Sequence, residues 1–177
     1  IALKNQPPSS AHPFGTDPFG RDVLSRVIHG SRLSLGIAFI AIVFAMTVGT
    51  AYGAAAAWAG GRVDALMMRL NDAMLSIPRV LLLIAVLSLW GQVPVPALAM
   101  LLGLTGWFAV SRIVRAEVLS LRNRDFVVSA RALGAGDMRV LLRHVLPNVL
   151  SPVLVAATLG IGNVIALEAG LSYLGIG

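Results

Sequence analysis

Cysteine is absent from the 177 residues, and only 12% of them are charged. Without cysteine the chain has no disulfide framework, thiol nucleophile or cysteine metal site, and its three histidines are too scattered to form a ligand cluster. An ordinary soluble domain has about a quarter of its residues charged. Since 57% of the residues are hydrophobic and the mean hydropathy is +0.84, we interpret the chain as a membrane protein.

Acidic residues are few as well, with 8 Asp and Glu against 14 Lys and Arg and a net charge of +6. In a polar chain this excess would suggest nucleic acid, but in a chain this apolar it favours a role in bilayer topology. We therefore expect a lipid bilayer and no nucleic acid as partner. The consensus Gly-x-x-x-x-Gly-Lys-Ser/Thr, which cradles phosphates, is also missing, so ATP is not expected to bind to this chain.

Three stretches carry no charged residue, at 33–61, 80–111 and 145–167. Each is long enough for the roughly 20 helical residues that cross a bilayer. Gly91, Gln92, Pro94 and Pro96 predict a turn that divides the second stretch. The sequence therefore predicts an all-α, polytopic transmembrane helix bundle with spans at about 33–58, 72–91, 96–116 and 147–170.

Arginine predicts the orientation of these spans. With four crossings, residues 1–32 and the Gln92 turn share one side, and the second side carries ten arginines against Lys4, Arg21, Arg26 and Arg32 on the first. The ten are Arg62, Arg69, Arg79, Arg112, Arg115, Arg122, Arg124, Arg131, Arg139 and Arg143. We expect the side with the ten to be cytoplasmic, with Arg79 at a span end where it reaches the headgroups.

Residues 1–32 are predicted to be an external turn segment followed by a short interfacial helix. Glycines, prolines and aspartates crowd the run from His12 to Asp22, which is typical of tight turns, and Asp22 is a good N-cap for the residues after it. The residues singled out here are Gly15, Thr16, Asp17, Gly20, Arg21 and Asp22. We interpret them as a structural turn with local ion pairs.

The stretch from Arg112 to Pro147 is too long for a simple turn and is rich in helix formers, so we expect it to be folded. Asp125 is predicted to cap one helix, Gly134 and Gly136 to stop it, and Asp137 to cap a second helix that continues into the last span. Two such helices would project a knuckle suited to a partner's groove. The alternative interpretation is a solvated loop whose only role is in the topology of the spans.

Several motifs make the chain resemble a permease subunit of a bacterial ABC importer, of the C type in the dipeptide, oligopeptide and nickel family. They are His12-Pro-Phe-Gly-Thr-Asp17, Gly20-Arg-Asp-Val-Leu-Ser-Arg26, Gly61-Arg-Val-Asp-Ala65, Arg124-Asp-Phe126, Ala130-Arg-Ala-Leu-Gly134, Arg143-His-Val-Leu-Pro-Asn148 and the run from Glu168 to Gly177. Similar permeases have six helices, so the resemblance implies that the family's first and last helices lie outside this chain. It also implies that residues 33–177 are the permease domain, with Gly61 to Ala65 as a short inner loop.

The resemblance implies function and partners too. It implies half of an ATP-driven import pathway for peptides, nickel or related small solutes in the bacterial inner membrane, made with a second permease, two ATP-binding subunits and an external solute-binding protein. No cofactor is expected in this chain, because ATP and magnesium would bind to the partner ATPases. The residues at about 117–146 would be the ATPase-coupling loop, with Asp125, Val128, Ser129, Ala130, Arg131, Leu133, Gly134, Asp137, Leu146 and Pro147 as its site residues. Val128 stands where the family has Glu, so apolar contacts of Val128 and Leu133, with Arg131 as the main charge, are expected to dominate docking.

Two other classes of function remain open at this stage. A secondary transporter or channel would use helices broken at prolines such as Pro78 and Pro152. An intramembrane enzyme would need paired acids or a nucleophile at membrane depth, and Asp72 and Glu168 near span ends are the acids available. If the chain is an importer permease, small residues would let the first, third and fourth spans approach one another and line the pathway. These are Gly49, Gly53, Gly103, Gly106, Gly160 and Gly162.

Overall fold

The computed structural model describes residues 4–90 and 93–175, and its regular elements there are helices. They are α1 (Val23–Ala59), α2 (Gly61–Leu75), α3 (Arg79–Trp90), α4 (Val95–Leu121), α5 (Asp125–Ala132), α6 (Asp137–Val140), a π-helical turn (Leu141–Val145) and α7 (Leu146–Tyr173). The predicted all-α fold is confirmed. Of the predicted Gln92 turn, Gly91 and Gln92 lie outside the described residues.

The first span is longer than predicted, because α1 runs without a break from Val23 to Ala59. Its 37 residues reach about 55 Å, well beyond the roughly 30 Å hydrocarbon core. The predicted helix that starts after Asp22 and leads into the first span is confirmed, and only the boundary between them at residue 33 is wrong. No proline falls between the two ends, and a glycine such as Gly30 costs only about 1 kcal/mol in a helix, so the residues after Asp22 continue directly into the span.

The second span is not the single helix predicted at 72–91. Instead, α2 and α3 form a pair bent by 70° at residues 76–78, which passes as one broken span by length and composition. Pro78 lacks the backbone N–H and disfavours helical geometry at Ile77 before it, so the helix ends there and restarts at Arg79. Residues 61–65, predicted as a short inner loop, are the first turn of α2.

The third and fourth spans match α4 and α7, which extend past the predicted bounds at both ends. The predicted continuity of the last span with the helix from Asp137 is confirmed, since α6, the π-helical turn and α7 form one rod of 37 residues. The π-helical turn directly precedes Pro147, which cannot donate to the helical ladder, and the Leu146 N–H bonds to the Leu141 carbonyl instead.

Contacts between the long helices α1, α4 and α7 show their relative directions. Gly103 lies against Ala41 and Gly53 against Ser111, so α1 and α4 run parallel, whereas Ser34 bonds to Glu168 and α7 runs the opposite way. The bundle therefore has an end where α1 and α4 begin and an opposite end, which we call the loop end, where both finish next to α5. Among the described residues, three helical rods are long and apolar enough to cross a membrane, and the bent pair adds a fourth span if it crosses as one unit.

Small residues make the close helix approaches possible. An added Cβ would meet atoms of another helix within van der Waals contact at five of the six glycines singled out from the sequence, Gly162 being the exception with nothing nearby. At Gly53 it would collide with the Ser111 carbonyl oxygen, and at Gly49 it would come within 2.7 Å of the Val110 Cβ. These glycines therefore serve packing between helices.

Candidate functional site

The helix α5 begins one residue earlier than an Asp125 cap would require. Its N-cap is Arg124 in an extended conformation, so Asp125 is the first helical residue, and Gly136 likewise precedes Asp137 at the start of α6. Neither cap residue supplies a side-chain hydrogen bond, so both predicted caps are wrong by one position. A carboxylate in the first turn still interacts favourably with the positive end of the helix dipole.

The predicted glycine stop is confirmed at Gly134. Its φ is +85°, its N–H donates to the Arg131 carbonyl at 2.9 Å, and the Ala135 N–H donates to the Ala130 carbonyl at 3.1 Å. This pair of bonds is the Schellman motif, which satisfies the last carbonyls of a helix and favours glycine at the left-handed position. Gly136 has φ −67° and is not part of the stop, because the chain there is extended and leads into α6.

Two buried valines hold the loop between α4 and α7 against the membrane helices. Val127 of α5 and Val140 of α6 are fully buried in a cluster that also contains Val114, Val118 and Val145. Leu146 packs against the same cluster, whereas Pro147 is exposed. The cluster therefore packs α5 tightly against α4 and against the start of the last span.

The outer side of the loop exposes apolar side chains. Val128 is 55% exposed, Leu133 is 89% exposed, and Ser129 beside them is also exposed. An open groove of about 540 Å³ follows this side and is lined by Phe126, Ser129, Ala130, Leu133, Ala135, Arg139, Arg143 and His144. Leu133 borders this groove and Val128 is exposed outside it, and their role in docking stays a prediction.

Arg131 is not a free docking charge. Its guanidinium lies 3.3 Å from an Asp137 carboxylate oxygen and 5.1 Å from the ring centre of Trp58, near the end of α1. Both partners of the ion pair are largely exposed, so the pair adds at most about 1 kcal/mol. The structure therefore assigns Arg131 to contacts inside the chain, and the basic residues lining the groove are Arg139 and Arg143.

The N-terminal segment is organised around Asp17, which is 8% exposed. Its carboxylate accepts hydrogen bonds from the backbone N–H groups of Arg21 at 2.9 Å and Phe19 at 2.8 Å, and forms ion pairs with the Arg21 and Arg26 guanidiniums at 2.9 and 2.7 Å. The hydrogen bond from the Arg21 N–H is the main cause that lowers the pKa of Asp17 to about 2. Gly15 and Gly20 have φ of +71° and +81°, as tight turns require. The predicted structural turn with local ion pairs is confirmed.

Thr16 and Asp22 tie this segment to the start of α1. The Gln6 N–H donates to the Thr16 hydroxyl oxygen at 2.9 Å, and Thr16 pairs with Asp22 in an isolated β-bridge. Asp22 caps α1 by accepting the Ser25 N–H at 2.7 Å and lies 3.0 Å from the His12 ring nitrogen. Hydrogen bonds from Ser25 are the main cause that lowers the pKa of Asp22.

A polar ladder between α2 and α4 was not anticipated from the sequence. The Arg115 guanidinium donates to both carboxylate oxygens of Asp64 at 2.6 and 2.7 Å, and the Ser111 hydroxyl donates to the Asn71 side-chain oxygen at 3.0 Å. Asp72, considered above as a helix-end acid, pairs with Arg112 at 3.1 Å. The spacing of Asp64 and Asn71 by seven residues was the available signal, because it places both on one helix face.

Arg79 does not lie at a cytoplasmic span end. It donates to the Leu102 carbonyl at 2.7 Å and to the Thr105 hydroxyl at 3.0 Å, on the half of α4 away from the loop end. The break at Pro78 places it inside the bent span, so the predicted contact with the headgroups on the loop side is wrong. The cytoplasmic count of arginines falls to nine, which still exceeds the four basic residues on the other side.

Comparison with known proteins identifies the chain's family. Residues 49–177 match the family described as "Binding-protein-dependent transport system inner membrane component". The chain belongs to this family. It is accordingly a multi-pass inner-membrane protein, and the C-type permease resemblance drawn from its motifs is confirmed.

Members of this family with similar sequences include two proteins named dipeptide transport system permease protein DppC. The one from Alkalihalophilus pseudofirmus is 41% identical over 172 residues, which cover 97% of this chain and 56% of the relative. The one from Bacillus subtilis is 36% identical over 177 residues, which cover 100% of this chain and 55% of the relative. The chain thus spans about half the length of the curated relatives it matches.

Proposed function

We propose that the chain is a transmembrane permease subunit of an ATP-driven, binding-protein-dependent importer, and that its solute is a short peptide. The family and the names of the two relatives support this proposal. Its partners would be a second permease that completes the pathway, two ATP-binding subunits and an external solute-binding protein. ATP and magnesium would be bound by the ATPases, so this chain would hydrolyse nothing itself.

The observation that carries the proposal is the anchored loop. An element that transmits work must make different contacts in two states of its partner and must be rigidly joined to what it moves. The helix α5 has an exposed apolar side, with Val128 and Leu133, and a buried side, with Val127, in one cluster with α4 and the last rod. We infer that a closing motion of the ATPase enters at α5 and tilts these spans.

Docking of the ATPase can be tested with Leu133→Asp. Leu133 is 89% exposed, so an aspartate there should leave the fold intact while placing a charge in the apolar contact. We expect the assembled permease to lose most of its affinity for the ATPase, with transport lost in proportion. Asn123→Asp is a matched control, since it adds the same single negative charge to the exposed loop but lies ahead of the N-cap of α5. Equal ATPase binding in wild type and Leu133→Asp would contradict the docking role.

The broken second span favours one rival, a secondary transporter, since discontinuous helices bind solutes in such proteins. Uptake into proteoliposomes distinguishes the two. The importer requires ATP inside and the binding protein outside, whereas a secondary transporter would respond to an ion gradient without ATP. The enzyme alternative has little support among the described residues, because its two acids have separate partners, Arg112 for Asp72 and Ser34 for Glu168.

A further inference from the structure

Arg79 carries a charge inside the membrane span with neutral partners. Its side chain donates to the Leu102 carbonyl and the Thr105 hydroxyl, and among residues 4–90 and 93–175 no carboxylate lies within ion-pair distance of it. Thr105 is ten residues into α4, about 15 Å from its start, so the guanidinium lies within the hydrophobic thickness. Ionisable groups at this depth are costly, and they mark a functional site when they are retained.

The guanidinium borders a cavity between three spans. The cavity has a volume of about 290 Å³ and is lined by residues of α1, α4 and α7, including Ala45, Val110 and Gly160. Arg79 and Asn163 are its two polar lining residues, and the others are apolar. A mostly apolar cavity with a few convergent polar groups is the usual form of a site for a small organic ligand.

The surroundings leave room for the guanidinium to bind something further. A Cβ added at Gly106 would lie 3.3 Å from one of its terminal nitrogens, so glycine at this position keeps the cavity side of Arg79 open. Its terminal nitrogens form a planar fork that matches a carboxylate with two hydrogen bonds. A second cavity of about 210 Å³, beside Pro78 and Thr105, also borders Arg79, so the residue stands between two open volumes.

We propose that Arg79 binds the C-terminal carboxylate of a peptide as the peptide passes through the pathway, with Asn163 available to a peptide amide. This proposal rests on the importer function proposed above. A free peptide carries a carboxylate at neutral pH, and pairing with it would supply the counter-charge that the described residues do not give Arg79. The site makes Arg79 a specificity-determining residue of the permease, separate from the selection made by the binding protein.

The test compares import of a labelled dipeptide with import of the same dipeptide amidated at its C terminus. Both are measured in proteoliposomes that hold the complete importer, with wild type and Arg79→Gln. For each permease, the import of the free dipeptide is divided by the import of the amidated dipeptide. The binding protein's own preference for one form is the same with wild type and with Arg79→Gln, so it cancels when the two quotients are compared. We expect the preference for the free carboxylate to fall about 10-fold or more in Arg79→Gln, the effect of losing a charge-assisted pair of hydrogen bonds, and to fall less in Arg79→Lys.

Arg69→Gln is the matched control, because it removes an exposed arginine from the neighbouring helix α2 and should leave the preference unchanged. An equal preference in Arg79→Gln and wild type would overturn the proposal and assign Arg79 to helix packing or to an acid of the second permease. If the binding protein delivers no amide, import of the free dipeptide per ATP hydrolysed is compared instead. Import per ATP that decreases in the order wild type, Arg79→Lys, Arg79→Gln supports the site, and equal values for the three overturn it. Absence of ATP-driven import in wild type would instead refute the importer function.

Discussion

The left-handed stop after α5 offers the sharpest test of the coupling loop. Threonine is β-branched and disfavours positive φ, yet it is about as good as glycine at an N-cap. Gly134, at φ +85°, and Gly136, an N-cap at φ −67°, both have open space where a Cβ would be added. Gly134→Thr and Gly136→Thr therefore introduce the same side chain into the same loop and differ only in the backbone conformation that it must adopt.

The magnitude follows from the conformation. A side chain with a Cβ costs about 1–2 kcal/mol in the left-handed region, and somewhat more when it is β-branched. The chain can relieve this strain by giving up the bonds of the Gly134 and Ala135 N–H groups, each of which contributes about 1 kcal/mol. Loss of these hydrogen bonds unwinds the last turn of α5 and moves Leu133. A penalty of about 2 kcal/mol against the docked geometry corresponds to a roughly 30-fold weaker affinity for the ATPase.

The assay measures the dissociation constant of the assembled permease and its ATPase, together with transport per ATP hydrolysed in proteoliposomes. We expect Gly134→Thr to bind roughly 30-fold more weakly and to transport less solute per ATP. Gly136→Thr should match wild type within about twofold, which also controls for expression and insertion. Equal values for the two variants would refute the reasoning, because the loop would then act as a solvated connection whose geometry does not matter.

Three further predictions concern other parts of the chain. Gly53→Leu should destabilise the bundle by about 1–3 kcal/mol through collision with a carbonyl of α4, whereas Gly162→Leu should be tolerated, and thermal unfolding in detergent compares them. A cysteine at Gly136 should react with an impermeant thiol reagent only after the cells are opened, and labelling of intact cells would reverse the topology. The pKa of Asp17 is lowered from 3.8 to about 2, so its stabilising effect should be complete above pH 3.8 and be lost as the pH falls through about 2. The mobility of a spin label at Ser10→Cys should stay constant from pH 7 to 4 and rise as the pH falls from there toward 2, and a rise already complete at pH 4 would contradict this.

Hydrophobicity predicted three of the spans because an uncharged stretch of 20 residues has few alternatives to a membrane helix, whereas the second predicted span is a bent pair. It could not predict their bounds, since the ends of α1 and α7 depend on caps and on contacts with the loop. Asp22 was found as a cap because it follows a turn-rich run, whereas Arg124 and Gly136 took the cap positions expected of Asp125 and Asp137. Neither cap residue accepts a backbone N–H through its side chain, so no local signal separated the two candidates.

The position of Arg79 could not be obtained from composition. A charge at the edge of an apolar run is equally compatible with a span end and with a broken span, and the choice depends on where α2 lies. The polar ladder from Asp64 to Asn71 holds α2 along the loop-end half of α4, so the span is half crossed when the chain reaches Pro78. Pro78, which the predicted span at 72–91 already contained, thus lies at a break partway through the bent pair.

These features divide the bundle into two packed regions with a cavity between them. At the loop end, the valine cluster, the polar ladder and the close approach at Gly53 join α1, α2, α4 and α5 into a tightly packed unit. At the other end, a second cluster of buried residues joins α1, α3, α4 and α7, and the cavity that Arg79 borders lies between the two packed regions. A well-packed unit moves as a body, while cavity walls can shift at small energetic cost. A motion that enters at α5 should therefore change the spacing of the walls around Arg79, so that the site proposed for the peptide carboxylate lies where the ATPase cycle would alter its affinity.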